Sequence, residues 1–201
     1  MKTQEIKKHV EQLSGTSFDL IQDTWNYLYD LIDGDEYLGS HFQEPENANL
    51  LNPFIEPMKK LLFHEDDEFR MNSAEYLGWC QKDDSIIDSL IELIIKEKKC
   101  TDAVENAMIS LAQLDAKRAC DSIYNRAISD LEEEGIETEE FKLMMTEICH
   151  YHLLALGKLN DERAFEILEY ALENDLVDVD IILETINSER SKTLLNKYSK
   201  K

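Results

Sequence analysis

Apolar residues recur at spacings of three and four along nearly the whole chain, and strand-like alternation is scarce. The pattern therefore predicts one helix after another. Ile6–Leu13 forms a short first helix closed by Ser14 and Gly15, and Thr16 or Ser17 caps a second from about Phe18 to Ile32. On that second helix Trp25, Leu28, Tyr29 and Ile32 follow i, i+3, i+4, i+7 spacing. Between Asp33 and Asn52 the period fails, which predicts one long loop with a helical turn near Tyr37–Phe42. Asn52-Pro53 then marks a helix start, with Asn as cap and Pro in the first turn. Further helices are predicted at about 53–64, 67–80, 85–98, 101–114, 117–133, 138–158, 162–174, 179–187 and 189–199. Links this short join antiparallel neighbours. Ala119, Ile123, Ala127, Ile128 and Leu131 make one stripe, and Ala164, Ile167, Leu168, Ala171 and Leu172 another. The 85–98 helix carries Ile86, Ile87, Leu90, Ile91, Leu93, Ile94 and Ile95, so burial on more than one side is expected.

Two stretches are the same unit written twice. Leu111-Ala-Gln-Leu-Asp-Ala-Lys-Arg118-Ala-Cys-Asp-Ser-Ile123 aligns without a gap on Leu156-Gly-Lys-Leu-Asn-Asp-Glu-Arg163-Ala-Phe-Glu-Ile-Leu168. Ala74-Glu-Tyr-Leu77-Gly78 matches the start of the unit, and Asn187-Ser-Glu-Arg190 with Leu195 is a shortened last copy. Each unit is a helix, a polar turn and a second helix, which buries its apolar faces only by stacking on its neighbours. A small residue (Gly78, Ala112, Gly157) is expected to let the second helix cross closely. Asp84, Asp115, and Asn160 or Asp161 are expected to cap it. Arg118, Arg163 and Arg190 recur at one place in the unit. They read either as a basic strip for an anion or as a ladder in which each Arg bonds an acid or carbonyl of the adjacent unit.

This pattern of Ala-Leu-Gly, polar turn with Asp, Arg-Ala and spaced leucines resembles the HEAT-like repeats of the phycobilisome-lyase group, over roughly residues 61–195. The resemblance implies an all-α fold, a right-handed α–α superhelix of antiparallel helix pairs. Residues 53–201 would form the repeats as one continuous domain, and residues 1–52 a helical cap and loop outside the repeat. It also implies that the second helix of each unit lines the concave face. Members of the group include lyase subunits, DNA-glycosylase relatives and protein-binding scaffolds.

Charge narrows these choices. The 201 residues carry 43 acidic against 21 basic side chains, a formal net charge of −22, with 43% hydrophobic residues. That apolar fraction excludes intrinsic disorder. The acid surplus argues against nucleic acid and anionic lipid, both of which need a Lys/Arg footprint, and favours a basic protein partner. Acid is concentrated in the turns between units, at Glu65-Asp-Asp-Glu68, Glu132 to Glu140 and Glu173 to Asp180, which would merge into one negative rim interrupted by Lys96-Glu-Lys-Lys99. The start of the chain lacks a signal-peptide core and no apolar run approaches a membrane span, so a cytoplasmic location is expected.

Candidate chemistry is sparse. Cys80, Cys100, Cys120 and Cys149 form no Cys-x-x-Cys pair and read as reduced thiols. His150-x-His152 beside Cys149 is the one metal-like cluster by spacing, but residues two apart on a helix face different ways. Asp33-x-Asp35 lacks the ligand run of a calcium loop. No catalytic residue, metal site or cofactor is therefore assigned. The expected function is non-catalytic binding of a basic protein through an acidic concave face built from Asp88, Glu92, Asp121, Glu166, Glu169, Tyr170 and Glu173. An immunity protein masking a basic toxin is the narrower form of that reading. The alternatives are a lyase-like enzyme subunit with a pocket near Trp25, Tyr27 and Tyr29, and a DNA mimic.

Overall fold

The chain has one continuous apolar core, running from Leu13 in the first helix to Leu194 in the last. It is seen in a computed structural model that describes residues 2–31, 48–135, 141–176 and 179–198. Among these residues the secondary structure is all helical, with no strand. In chain order the helices are α1 (Lys2–Leu13), α2 (Phe18–Leu31), α3 (Ile55–Leu61), α4 (Asp67–Gly78), α5 (Asp84–Lys96), α6 (Asp102–Gln113), α7 (Cys120–Glu133), α8 (Phe141–Ile148), α9 (His150–Lys158), α10 (Glu162–Glu173), α11 (Val179–Ile186) and α12 (Glu189–Tyr198). Two 3-10 segments, Ala48–Phe54 and Lys117–Ala119, precede α3 and α7.

Several predicted boundaries shift. The first helix begins at Lys2 rather than Ile6. Asn52 is not a helix cap: it lies inside the 3-10 segment, α3 starts after Phe54, and the Asn52 Oδ1 accepts from the Gln81 backbone N–H at 3.3 Å. The predicted 138–158 helix is two helices hinged at Cys149 (φ −103°, ψ 41°). Hydrogen bonding resumes at once across this break, from Leu153 N–H to the Cys149 carbonyl at 3.0 Å. The expected burial of Ile95 fails, since it is 67% exposed. Most of the loop from Asp33, the turn at Tyr37–Phe42, the Asp33-x-Asp35 pair, Ile32, residues 136–140 of the acidic rim, and Val177 and Asp178 lie outside the described residues.

Packing follows the order of the units. α4 lies against α6, α6 against α9 and α9 against α11, while α5 packs on α7, α8 on α10 and α10 on α12. The aromatic residues of α2 join this arrangement at its start, with Trp25 stacked on Tyr76 at 5.4 Å and Phe18 against Phe69 at 5.0 Å.

The polar turn has a recurring backbone cause. Asp115, Asn160 and Asn187 all adopt positive φ, at 47°, 60° and 50°. Each stands three residues before Arg118, Arg163 or Arg190. In the first two turns the next residue then reaches back to close the preceding helix: Ala116 N–H donates to the Leu111 carbonyl, and Asp161 N–H to that of Leu156, both at 2.9 Å. Asp115 and Asn160 thus end the first helix of their unit and do not cap the second. Capping falls to the next residue, Asp161, whose Oδ1 accepts from Arg163 N–H at 3.0 Å, and to Ser188, whose Oγ accepts from Ser191 N–H at 3.1 Å. Ala116 occupies that place in the first turn and offers no side-chain acceptor, so α7 is entered through a 3-10 turn. In the α4–α5 turn the cap is Asp83, not Asp84, accepting from Ser85 N–H at 2.7 Å.

Only glycine adopts such a φ without steric cost, and Asn tolerates it. Asn160→Gly is expected to leave stability within about 0.5 kcal/mol of wild type, whereas Asn160→Val loses about 1–2 kcal/mol. Urea unfolding of the two variants checks this, and equal midpoints would show that the turn relaxes.

The small residues act elsewhere than expected. A Cβ on Gly78 would lie 2.7 Å from the Ser110 Cβ of α6, and one on Gly157 would lie 2.9 Å from the Ile186 Cγ1 of α11. They let the first helices of adjacent units approach one another, rather than admitting the second helix of their own unit. Ser110 uses that proximity to donate to the Ala74 carbonyl at 2.7 Å.

Candidate functional site

The predicted contact residues sit on α5, α7 and α10. Asp88, Glu92 and Ile95 occupy one exposed face of α5. Ile94 and Ile95 form a cleft of about 310 Å³ with Ser122, Asn125, Arg126 and Ser129 of α7. On α10, Glu166 and Glu173 are exposed, while Glu169 and Tyr170 are half-buried. An ion-pair network links these helices. Asp88 pairs with Arg118, Glu92 with Lys96, Asp121 with Arg163 at 3.0 Å, and Glu169 with Lys197 at 2.6 Å. Glu173 accepts from the Tyr198 hydroxyl at 2.8 Å, and the Lys142 ammonium lies 5.5 Å from the Tyr170 ring centre. Four of the six predicted carboxylates are thus matched by the chain's own cations, which thins the charge of this face without reversing it.

The recurrent arginines form the ladder. Arg118 bonds the Asp84 carbonyl at 2.9 Å as well as the Asp88 carboxylate. Arg163 reaches Asp121 and lies 4.4 Å from the Tyr124 ring centre. Arg190 bonds Glu162 and lies 4.5 Å from the Phe165 ring centre. Each arginine thus reaches the second helix of the preceding unit. Hydrogen bonds that Arg163 also donates to the Asp161 carboxylate raise the Arg163 pKa above its ordinary value.

The N-terminal aromatics are packing residues: His9 stacks on Tyr27 at 3.9 Å, and Trp25 is 3% exposed. A second cleft, of about 480 Å³, lies between the ends of α4 and α6, where it is lined by Trp79, Cys80, Lys82 and Asp115 rather than by Trp25, Tyr27 or Tyr29.

A buried polar cluster escaped the sequence reading. Cys100 in the α5–α6 turn, Asp130 on α7 and His152 on α9 bring one ligand-type atom each to within 4.8 Å of one another. Arg126 is the cluster's clamp. It bonds the Asp130 Oδ1 at 2.6 Å, the Lys98 carbonyl at 3.1 Å and the Glu97 carbonyl. Burial would raise the Asp130 pKa, but His152 and Arg126 beside it hold it below the usual carboxylate value. Burial, reinforced by Asp130, pushes the Cys100 thiol up to about 12, so alone it is a poor nucleophile. His150 is exposed and His152 buried, as their spacing requires.

No known protein family matches the chain, and no curated protein is significantly similar to it. No helix among the described residues is long and apolar enough to cross a membrane.

Proposed function

We propose that this chain is a non-catalytic binding module, a right-handed superhelix of HEAT-like helix pairs that receives a basic protein partner across the exposed face of α5, α7 and α10. Support for the architecture comes from the ordered packing of successive pairs, the positive-φ residue repeated before each arginine, and the arginine ladder between second helices. The observation that carries the function is Ile95. It is a large apolar side chain left 67% exposed at the edge of a cleft, with Asp88 and Glu92 on the same helix face. An apolar anchor beside acid is suited to a partner that presents an aliphatic or aromatic side chain next to Lys or Arg. The net charge of −22 would steer such a partner. Masking of a basic toxin by an intracellular immunity protein is the narrower version of the same reading.

Capture from lysate with immobilised wild-type chain, Ile95→Asp and Glu92→Lys tests it. A basic protein should be retained at low salt, released at high salt, and bound about tenfold or more weakly by either variant. A partner held equally by all three proteins at every salt concentration would remove this face from the account.

A further inference from the structure

We propose that Cys100, Asp130 and His152 form a binding site for a zinc-class divalent ion, which ties the α5–α6 turn to α7 and α9. The donor set is one thiol, one carboxylate and one imidazole drawn from the α5–α6 turn, α7 and α9. Thiolate with imidazole selects Zn²⁺ and its relatives over Mg²⁺ and Ca²⁺, which take oxygen ligands.

The carboxylate and imidazole atoms concerned have only each other. Asp130 Oδ2 and His152 Nε2 are both buried and make no hydrogen bond. They stand 3.3 Å apart. They face each other at ion-pair distance, and neither has a further hydrogen-bond partner, so both lone pairs are open to a shared ion. Ligands held at about 2.0–2.3 Å by a tetrahedral ion lie about 3.3–3.6 Å from one another. The Asp130–His152 separation already meets that requirement, and the Cys100 Sγ needs to close by no more than about 1.5 Å.

The surroundings are built to present these atoms. Arg126 occupies Asp130 Oδ1, leaving Oδ2 as the free donor, and is itself fixed by the carbonyls of Glu97 and Lys98, two residues before Cys100. Such outer contacts orient the ligating atoms of metal sites. Binding forms bonds from the ion to sulfur, oxygen and nitrogen and displaces the thiol proton to solvent, with a water completing the fourth position. Nothing is oxidised or reduced.

Cobalt(II) titration of metal-free chain is the test. One equivalent should produce d–d absorption together with a thiolate-to-cobalt charge-transfer band, and Zn²⁺ should abolish both while Mg²⁺ does not. Cys100→Ser should remove the charge-transfer band, and His152→Gln should weaken binding at least about tenfold, with Cys120→Ser unchanged and circular dichroism confirming helical variants. Zn²⁺ at a hundredfold excess over Kd should raise the wild-type Tm by about 5–10 °C. Absence of the band in folded wild-type chain, or its survival in Cys100→Ser, would overturn the proposal. The wild-type titration decides the matter even if a variant does not fold.

Discussion

Arg126→Met, studied in metal-free chain, is expected to lose about 3–5 kcal/mol of unfolding free energy at neutral pH. The side chains of Arg126 and Asp130 are only 6% and 12% exposed. Removing the guanidinium leaves a carboxylate buried without its cation, and it also strips the donors from the Glu97 and Lys98 carbonyls. The pH dependence has a definite sign. In wild type the folded pKa of Asp130 lies below its unfolded value, so its contribution is present above that value and fades as pH falls through the folded pKa. Without Arg126, burial prevails and the folded pKa rises, so the penalty grows with pH. The gap between variant and wild type should therefore be widest near pH 7 and narrow toward pH 4 in urea titrations. Adding Asp130→Leu should restore part of the loss, the remainder belonging to the two carbonyls. A cost below about 1 kcal/mol would mean that the pair is solvated like an ordinary surface bridge.

The helices were legible because their signals are local. Period, polar turns and caps fixed most ends to within a few residues, and the gapless match of Leu111–Ile123 to Leu156–Leu168 located the unit. Even the misplaced cap was short-range, since Asp83 caps in place of its neighbour Asp84; of the two residues offered before α10, Asp161 caps and Asn160 takes the positive φ. What depends on the register between units was not legible. Lys197 neutralises Glu169 across a separation of 28 residues, so an acid counted as free in the sequence is paired in the fold. Cys100, Asp130 and His152 come from the α5–α6 turn, α7 and α9, and meet only once those elements pack. Spacing drew attention to His150 and His152, of which only His152 is buried and belongs to the cluster. Ile95 looked like core from its neighbours, since composition alone cannot tell which side of a strongly apolar helix is left uncovered.

The closeness of α4 and α6 makes the second large prediction. Gly78→Ala is expected to destabilise by about 1–3 kcal/mol, although alanine favours a helix by about 1 kcal/mol over glycine. The new methyl would meet the Ser110 Cβ at 2.7 Å, an atom fixed to the α6 backbone, beside an Oγ committed to the Ala74 carbonyl. Neither can swing aside, so the two helices must separate, and one of the closest joints between successive pairs opens with them. Gly135→Ala is the contrasting case, because its added Cβ meets nothing within 4 Å and strain comes only from φ of 74°. A rescue distinguishes crowding from any other effect. Ser110→Gly alone should destabilise through the lost hydrogen bond and the added chain freedom, yet combined with Gly78→Ala it should cost less than the two separate changes together. Strict additivity in thermal or urea unfolding would show that α4 and α6 are not held apart at this point, and the close joint would then have no role in setting how one pair sits on the next.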